Sequence, residues 1–248
     1  MTGAPASSAA ERRVTWITGA GSGMGRAAAL ALAPDRRLAL SGRRQDVLAQ
    51  TARDVSDAGG EAIVLPFDAR DAGAVSAARD ELLGRWGRID ELVLAAGLNS
   101  PRRTWATQSV DEVDQVIGTN LHGVIHVLDA ALPALRASGS ACVVVVSSIA
   151  AWRFSPVAGV AYSASKRALA AVCETLNAQE SAAGIRVCHL CPGDVDTEFL
   201  SLRPEVPDDE ARKRMLTPDD IGRTVRFVVD APPHVRIDEL VISPVTRG

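Results

Sequence analysis

The only tyrosine of the chain stands four residues before a lysine. Tyr162 and Lys166 begin a stretch of small, helix-favouring residues that extends to about residue 183. Because residues four apart share one face of an α-helix, we expect the two side chains to point the same way. An ammonium group beside a phenol favours the phenolate, which brings proton exchange closer to neutral pH. The pair therefore suggests general acid–base chemistry, although a tyrosine packed on the stem of a surface lysine has the same spacing.

A glycine-rich segment, TGAGSGMG at residues 18–25, directly follows the first apolar stretch. Its glycines permit a tight turn, let backbone N–H groups approach a pyrophosphate, and lead into the positive end of a helix. The spacing differs from the GxGxxG fingerprint, and the GK[ST] of a Walker A loop is missing. The segment predicts a site for the phosphates of a nucleotide.

Seven apolar stretches of strand length alternate with segments of helical character. The predicted strands are 14–17, 38–40, 62–65, 92–94, 142–146, 185–190 and 240–242, and the predicted helices include 25–33, 46–58, 72–86, 111–137 and 218–229. Strands that are apolar throughout and separated by helices indicate a parallel sheet covered on both faces. We therefore expect an α/β fold, a Rossmann-type doubly wound parallel sheet of about seven strands flanked by helices on both faces.

Length and composition limit the classes of protein to which the chain can belong. The 248 residues, 47% of them hydrophobic, suit one large α/β domain, and a net charge of -3 gives no basic stripe for nucleic acid. The apolar runs are too short to span a bilayer, and residues 1–12 lack the apolar core of a secretion signal. We expect a cytoplasmic protein with a flexible arm at 1–12, a single dinucleotide-binding catalytic domain at 13–248 and a substrate lid at 197–217.

Two patterns of potential metal ligands occur in the sequence. Cys188 and Cys191 are separated by two residues within a predicted strand, so they lie on opposite faces of the sheet, and no second ligand pair is nearby. His122 and His126 share a helical face but lack the glutamate of the zinc-protease motif. We expect no metal site.

Seven motifs together resemble a known family. They are TGAGSGMG at 18–25, FDARD with Asp68, LAAG at 94–97, NLHG from Asn120, SS at 147–148, YSASK from Tyr162, and PGDVDT from Pro192. Their order is that of the short-chain dehydrogenase/reductases, and from residue 14 to the C-terminus the chain resembles the compact one-domain branch of that family.

The resemblance assigns a catalytic role to four residues. Tyr162 would exchange the proton of the substrate oxygen, and Lys166 would lower the pKa of Tyr162 and bind the nicotinamide ribose. Ser148, fourteen residues before Tyr162, would donate a hydrogen bond to the substrate oxygen. Asn120 lies in a predicted helix, where the resemblance implies a local distortion that holds a water feeding protons to Lys166.

The resemblance also implies a dinucleotide cofactor. The residues assigned to it are Gly19, Ser22, Gly23, Met24, Gly25, Arg43, Arg44, Asp68, Ala69, Ala95, Ala96, Gly97, Tyr162, Lys166, Pro192, Gly193, Val195 and Thr197. The family carries an NNAG or NAG motif at this point, and Ala95 or Ala96 stands here in place of its asparagine. Gly42 stands where a carboxylate would bind the ribose of NAD, and Arg43 and Arg44 suit the 2′-phosphate of NADP. We expect NADP(H) as the preferred cofactor, with NAD(H) as the alternative.

The expected reaction interconverts a secondary alcohol and a ketone on a small-molecule substrate. The alternatives are an NAD-dependent alcohol dehydrogenase and a catalytically silent nucleotide-sensing protein on the same fold. An apolar pocket wall for a hydrophobic or cyclic ketone is expected from Leu98, Ile149, Trp152, Phe154 and Phe199, whereas Arg102, Arg103 and Arg153 would instead suit an acidic substrate. The resemblance further implies a homodimer or homotetramer formed through helices around 111–136 and 161–182.

Overall fold

Parallel strands form one sheet in the part of the chain that the structure describes. The computed structural model describes residues 12–245, so the predicted arm at 1–12 lies outside the described residues, except for Arg12. The strands are β1 (Arg13–Thr18), β2 (Arg36–Gly42), β3 (Glu61–Pro66), β4 (Glu91–Leu94), β5 (Ala141–Val146), β6 (Ile185–Pro192) and β7 (Glu239–Ile242). Their order across the sheet is β3-β2-β1-β4-β5-β6-β7, and every neighbouring pair is parallel. The predicted Rossmann-type fold is confirmed.

Helices connect the strands and cover both faces of the sheet. They are α1 (Gly23–Leu32), α2 (Gln45–Asp57), α3 (Ala72–Trp86), α4 (Val110–Ile117), α5 (Gly123–Ser138), α6 (Ile149–Trp152), α7 (Val160–Glu180), α8 (Asp209–Arg212) and α9 (Pro218–Val229). A π-helical turn at Gly118–His122 joins α4 to α5, and 3-10 turns lie at Ser181–Ala183 and Glu198–Leu202. Among the helices of residues 12–245, none has the length and apolar character needed to cross a membrane.

Two apolar cores lie on the two faces of the sheet, and successive residues of a strand pack into different cores. Trp16 packs in one core and Ile17 in the other, and the same alternation divides Val143 from Val144. This alternation is the side-chain period of a β-strand. Helices α3, α5 and α7 contribute to the first core, and α1, α2 and α9 to the second. The arrangement explains why the central strands are apolar at nearly every position.

The strand order reverses between β1 and β4, which are neighbours in the sheet although two strands separate them in the chain. The connections that leave their carboxyl ends therefore run to opposite sides and open a crevice. The residues singled out by the sequence follow the carboxyl ends of the strands, so the fold brings them to this one edge.

The structure differs from the sequence expectation mainly at the helices. The predicted helix at 111–137 is interrupted by the π-helical turn, and the four-residue α6 was not predicted. The expected lid at 197–217 contains the 3-10 turn Glu198–Leu202 and the short helix α8. Short segments of this kind lack the long apolar periodicity on which sequence reasoning depends.

A network of charged groups lies at the opposite edge, where the strands begin. Glu91 is fully buried and is paired with Arg13 at 2.8 Å and with Arg36 at 3.0 Å. Its carboxylate also accepts a 2.6 Å hydrogen bond from the hydroxyl of Thr15. Arg36 continues the network to Asp230 at 2.6 Å. Burial of these charges is thus accompanied by partners of opposite sign.

Candidate active site

A cavity of about 910 Å³ opens at the carboxyl ends of the strands. The glycine loop at 18–25 lines one part of it, and the ends of β5 and β6 line another. The third part is formed by the 3-10 turn Glu198–Leu202 and the residues that follow it. The size is that of a site for a small molecule or cofactor.

The glycine loop passes close to other backbone segments. A Cβ atom on Gly19, whose φ is +66°, would lie 2.7 Å from the backbone nitrogen of Ala96. A Cβ atom on Gly25 would lie 2.3 Å from the carbonyl oxygen of Gly19. Helix α1 begins at Gly23, and the side chain of Ser22 at its N-cap makes no capping hydrogen bond. The N–H groups of the first turn are therefore available to an anion such as a phosphate.

Tyr162 and Ser148 are brought together by the starts of two helices. Tyr162 lies in the first turn of α7, and Ser148 caps α6 by accepting a 3.1 Å hydrogen bond from the N–H of Ala150. Burial raises the pKa of Tyr162 above its usual value, against the hydrogen bond with Ser148, which lowers it. The phenol is accordingly protonated at neutral pH. The adjacent Ser147 also lines the cavity, but it is buried and its hydroxyl donates to the carbonyl of Lys166 at 3.2 Å.

Lys166 is buried behind Tyr162. Its Nζ atom donates to the carbonyl of Val146 at 3.0 Å and lies 5.8 Å from the centre of the Tyr162 ring. Burial lowers the pKa of Lys166 to about 8, and the nearby Cys191 opposes this.

Two arginines supply positive charge near Tyr162. The charges of Arg103 and Arg203 lower the pKa of Tyr162. The ammonium group of Lys166, which was expected to have this effect, donates to the carbonyl of Val146, and burial lowers its own pKa. That Lys166 lowers the pKa of Tyr162 stays a prediction.

Asn120 lies in the π-helical turn, where the sequence implied a distortion. Its side chain is buried; the amide nitrogen donates to the carbonyl of Leu98 at 2.9 Å and to Ser165 at 3.1 Å, and the amide oxygen accepts from the N–H of Leu98 at 2.7 Å. A Cβ atom on Gly97 would lie 3.7 Å from both Oδ1 of Asn120 and Nζ of Lys166. The space in front of Gly97 thus lies next to both polar atoms.

Every residue that the sequence assigned to the cofactor lines this cavity. Arg43 and Arg44 are exposed at the rim after β2. Asp68 is hydrogen-bonded to the backbone and side chain of Arg70, and the side-chain hydrogen bond from Arg70 holds the pKa of Asp68 below its usual value. The sequence reasoning did not identify Gly21, Val47 and Thr119 as further lining residues.

Part of the expected substrate wall is corrected. Ile149 and Phe199 line the cavity, and the Phe199 ring centre is 6.1 Å from that of Tyr162. The lining residues among 12–245 do not include Leu98, Trp152 or Phe154. Leu98 is held through its backbone by Asn120, while Trp152 is 53% exposed and Phe154 is 77% exposed. Because α6 is a single turn, only its first residues face the cavity.

The sequence reasoning named one grouping in part and missed another. Arg103, which it named for an acidic substrate, lines the substrate side of the cavity together with Leu202 and Arg203, which no pattern in the sequence identified. His189, Cys191 and Glu239 place one ligand atom each within 4.8 Å of one another, because β6 and β7 pair His189 with Glu239. The sequence analysis considered Cys191 only together with Cys188, which is not part of this group.

Comparison with known proteins gives the family. A family model described as short chain dehydrogenase matches residues 13–206. Glycine betaine reductase of Emericella nidulans is 32% identical over 245 residues, which are 94% of this chain but 19% of that protein, so the chain spans about a fifth of its length. An uncharacterised oxidoreductase of Staphylococcus haemolyticus is 32% identical over 234 residues, covering 94% of this chain and 97% of the relative.

A solved structure of similar fold carries a dinucleotide. It is the alcohol dehydrogenase from the archaeon Thermococcus sibiricus complexed with 5-hydroxy-NADP, which superposes with a TM-score of 0.86 at 33% identity, covering 96% of this chain and 99% of that chain. The family model spans most of the chain, and these relatives match nearly all of it. The chain therefore belongs to the short chain dehydrogenase family and is an oxidoreductase of that family.

Proposed function

We propose that this oxidoreductase uses NADP(H) to interconvert a secondary alcohol and a ketone. The observation that carries the proposal is that Ser148, Tyr162 and Lys166 line the same cavity as the glycine loop at 18–25. Tyr162, which would exchange a proton, thus lies in the same cavity as the loop that would bind a dinucleotide. The similarity to an alcohol dehydrogenase holding an NADP analogue supports the same conclusion.

The cavity fits a dinucleotide because its glycines leave room that side chains would fill. A Cβ atom on Gly23 would lie 3.3 Å from the side chain of Thr197, which lines the opposite wall. The first turn of α1 would bind the pyrophosphate, and Lys166 would bind the nicotinamide ribose. When bound, the nicotinamide supplies or accepts a hydride at the carbon of the substrate.

Tyr162 would exchange the proton at the substrate oxygen. Because burial raises its pKa, Tyr162 is protonated at neutral pH and can act as the general acid when a ketone is reduced. The hydroxyl of Ser148 would donate to the same oxygen as negative charge develops on it. Asn120 would join the loop at Leu98 to Ser165 of helix α7 through its hydrogen bonds. It would also hold a relay water next to Lys166, whose pKa of about 8 suits proton transfer.

The choice of cofactor would depend on the rim after β2. Gly42 offers no carboxylate to the ribose hydroxyl groups, and the exposed Arg43 and Arg44 can meet a 2′-phosphate. Asp68, which would face the adenine side, is held by Arg70. These features favour NADP(H) over NAD(H).

Three wider properties belong to the same proposal. Residues 13–248 would form a single catalytic domain, with 197–217 as the substrate lid. Ion pairs between Arg203 and Asp194 and between Arg212 and Asp196 tie this segment to the loop after β6. We further infer a homodimer or homotetramer formed through the helices around 111–136 and 161–182, and a cytoplasmic location.

Cofactor binding and turnover test this function in one preparation. Quenching of the four tryptophans would be followed during titration with NADPH and, separately, with NADH. NADPH oxidation would then be followed at 340 nm across a panel of aliphatic, cyclic and acidic ketones. We expect tighter binding of NADPH and reduction of at least one ketone. Preference for NADH would instead indicate an NAD-dependent alcohol dehydrogenase, and tight binding without turnover would indicate a nucleotide sensor.

A further inference from the structure

Arg103 fixes the substrate side of the cavity by binding three separate loops. Its Nε donates to the carbonyl of Ser100 at 2.7 Å, its Nη1 to that of Val157 at 3.1 Å, and its Nη2 to that of Leu202 at 2.7 Å. These carbonyls belong to the loop after β4, the loop after α6 and the 3-10 turn Glu198–Leu202. The guanidinium group is therefore held in one place before any substrate arrives.

The charge of Arg103 is not balanced by the groups that hold it. Its three partners are neutral carbonyls, and none of the ion pairs formed within residues 12–245 includes it. Burial lowers the pKa of Arg103, and the like charge of Arg203 lowers it further. A half-buried cation without a partner of opposite sign costs free energy, which an anionic ligand would recover.

The neighbouring arginines do not share this property. Arg102, the next residue in the chain, is 61% exposed in its side chain and pairs with Glu112 at 2.9 Å outside the cavity. Arg203 lines the cavity but pairs with Asp194. The acidic Glu198 and Glu205 also line the cavity, and both are exposed at its rim. Of these three arginines, Arg103 is therefore the one that forms no ion pair within residues 12–245.

Arg103 lines the same cavity as Tyr162, and this location limits what it would recognise. Its charge also lowers the pKa of the Tyr162 phenol, the group that would exchange the proton. We propose that Arg103 binds the carboxylate of the substrate and that the enzyme acts on oxo acids and the corresponding hydroxy acids. This inference rests on the proposed function.

Carboxylate geometry suits what remains free on Arg103. A guanidinium group has five N–H bonds, and the three hydrogen bonds to carbonyls leave one N–H on each terminal nitrogen. Two N–H groups on a planar fork match the two oxygens of a carboxylate. Phe199 and Ile149 supply apolar surface for a short carbon chain between the carboxylate and the ketone.

Matched acids and esters test the subsite. Acetoacetate and 4-oxopentanoate would each be compared with their methyl esters, with NADPH saturating, in the wild type and in Arg103→Gln and Arg102→Gln. We expect the wild type to favour at least one acid over its ester by about tenfold or more in kcat/KM. Arg103→Gln should reduce that ratio by about tenfold or more, whereas Arg102→Gln should leave it unchanged. Arg103→Lys, which keeps the charge but not the fork, should restore the ratio in part.

The ester serves as the internal control for damage to the loops. If Arg103 is only a structural clamp, Arg103→Gln lowers turnover of acid and ester equally, and the inference is wrong. It is also wrong if the wild type turns over the esters as well as the acids. If neither the acids nor the esters are reduced while another ketone of the wider panel is, the inference is wrong and the proposed function stands. If no ketone of the whole panel is reduced, the proposed function fails, and binding then decides the subsite separately. In that case the NADPH-loaded wild type should be stabilised against heat by 4-oxopentanoate but not by its ester, and equal shifts would overturn the inference.

Discussion

The two ends of the sheet treat buried charge in opposite ways. Where the strands begin, Glu91 is buried between Arg13 and Arg36, and Asp90 is buried beside Arg88. Where the strands end, Lys166 and Arg103 are bound by backbone carbonyls, and within residues 12–245 neither forms an ion pair. The first end thus pairs its buried charges with charges of opposite sign, whereas the second holds Lys166 and Arg103 with neutral carbonyls.

The pKa directions follow the same division. Burial would raise the pKa of Asp90, but hydrogen bonds from Arg88, Val14 and Ser138 bring it below its usual value, so the charged form is favoured. At the other end burial prevails: it raises the pKa of Tyr162 and lowers that of Lys166 to about 8, so the neutral forms gain. The pKa of Lys166 thus moves towards neutral pH, whereas that of Tyr162 moves away from it and keeps the phenol in its acid form.

Removing the phenolic hydroxyl at the strand ends should have the largest effect. In Tyr162→Phe the proton acceptor and donor is lost, and kcat should fall by about 10²–10⁴-fold. The Kd for NADPH, measured by tryptophan quenching, should stay within about twofold because the ring and helix α7 remain. Activity equal to that of the wild type would show that another group carries the proton.

Breaking the network at the strand starts should instead affect stability. In Glu91→Gln the buried carboxylate shared by Arg13 and Arg36 is lost, and Arg36 keeps only its more exposed partners Asp35 and Asp230, so the free energy of unfolding should fall by about 3 kcal/mol. Urea unfolding measures the change, and kcat per folded molecule should be retained. A matched change at an exposed pair, Glu210→Gln beside Lys213, should alter stability by less than about 1 kcal/mol. A large loss of kcat in Glu91→Gln would show that the buried charges at the strand starts also support catalysis, which would contradict the comparison.

The contrast also explains what could be predicted from the sequence. Continuous apolar strands and the glycine loop are local patterns, so the fold could be predicted from them, and the residues assigned to the cofactor line one cavity. The substrate wall could not be predicted in this way, because Trp152 and Phe154 lie only three to five residues beyond Ile149 yet face outward once α6 ends. The sequence named Arg103 only together with Arg102 and Arg153 and could not single it out, because the carbonyls that hold it are 3, 54 and 99 residues away in the chain.

Arg43 is a third cation at the strand ends, and it tests the choice between NADPH and NADH. Arg43 is exposed at the rim, and among residues 12–245 it forms no ion pair. In Arg43→Ala the Kd for NADPH should rise about tenfold while that for NADH changes little, since only NADPH carries the 2′-phosphate. Arg53→Ala removes an exposed arginine of α2 that is bound to Gln50 and should change neither Kd. Equal losses for both cofactors would remove Arg43 from the phosphate site.

The smallest expected effect is a shift in pH dependence. Arg103 lowers the pKa of Tyr162, so Arg103→Gln should raise it. Oxidation of an alcohol requires the phenolate, and kcat for a neutral secondary alcohol should therefore rise with pH at a higher midpoint in the variant. The kcat at the alkaline plateau should be similar to that of the wild type, because the phenol itself is intact. Arg102→Gln makes the same charge change one residue away but outside the cavity, and it should leave the midpoint in place. A shift of equal size in both variants would mean that Tyr162 senses the general charge of this loop rather than the unpaired guanidinium beside it.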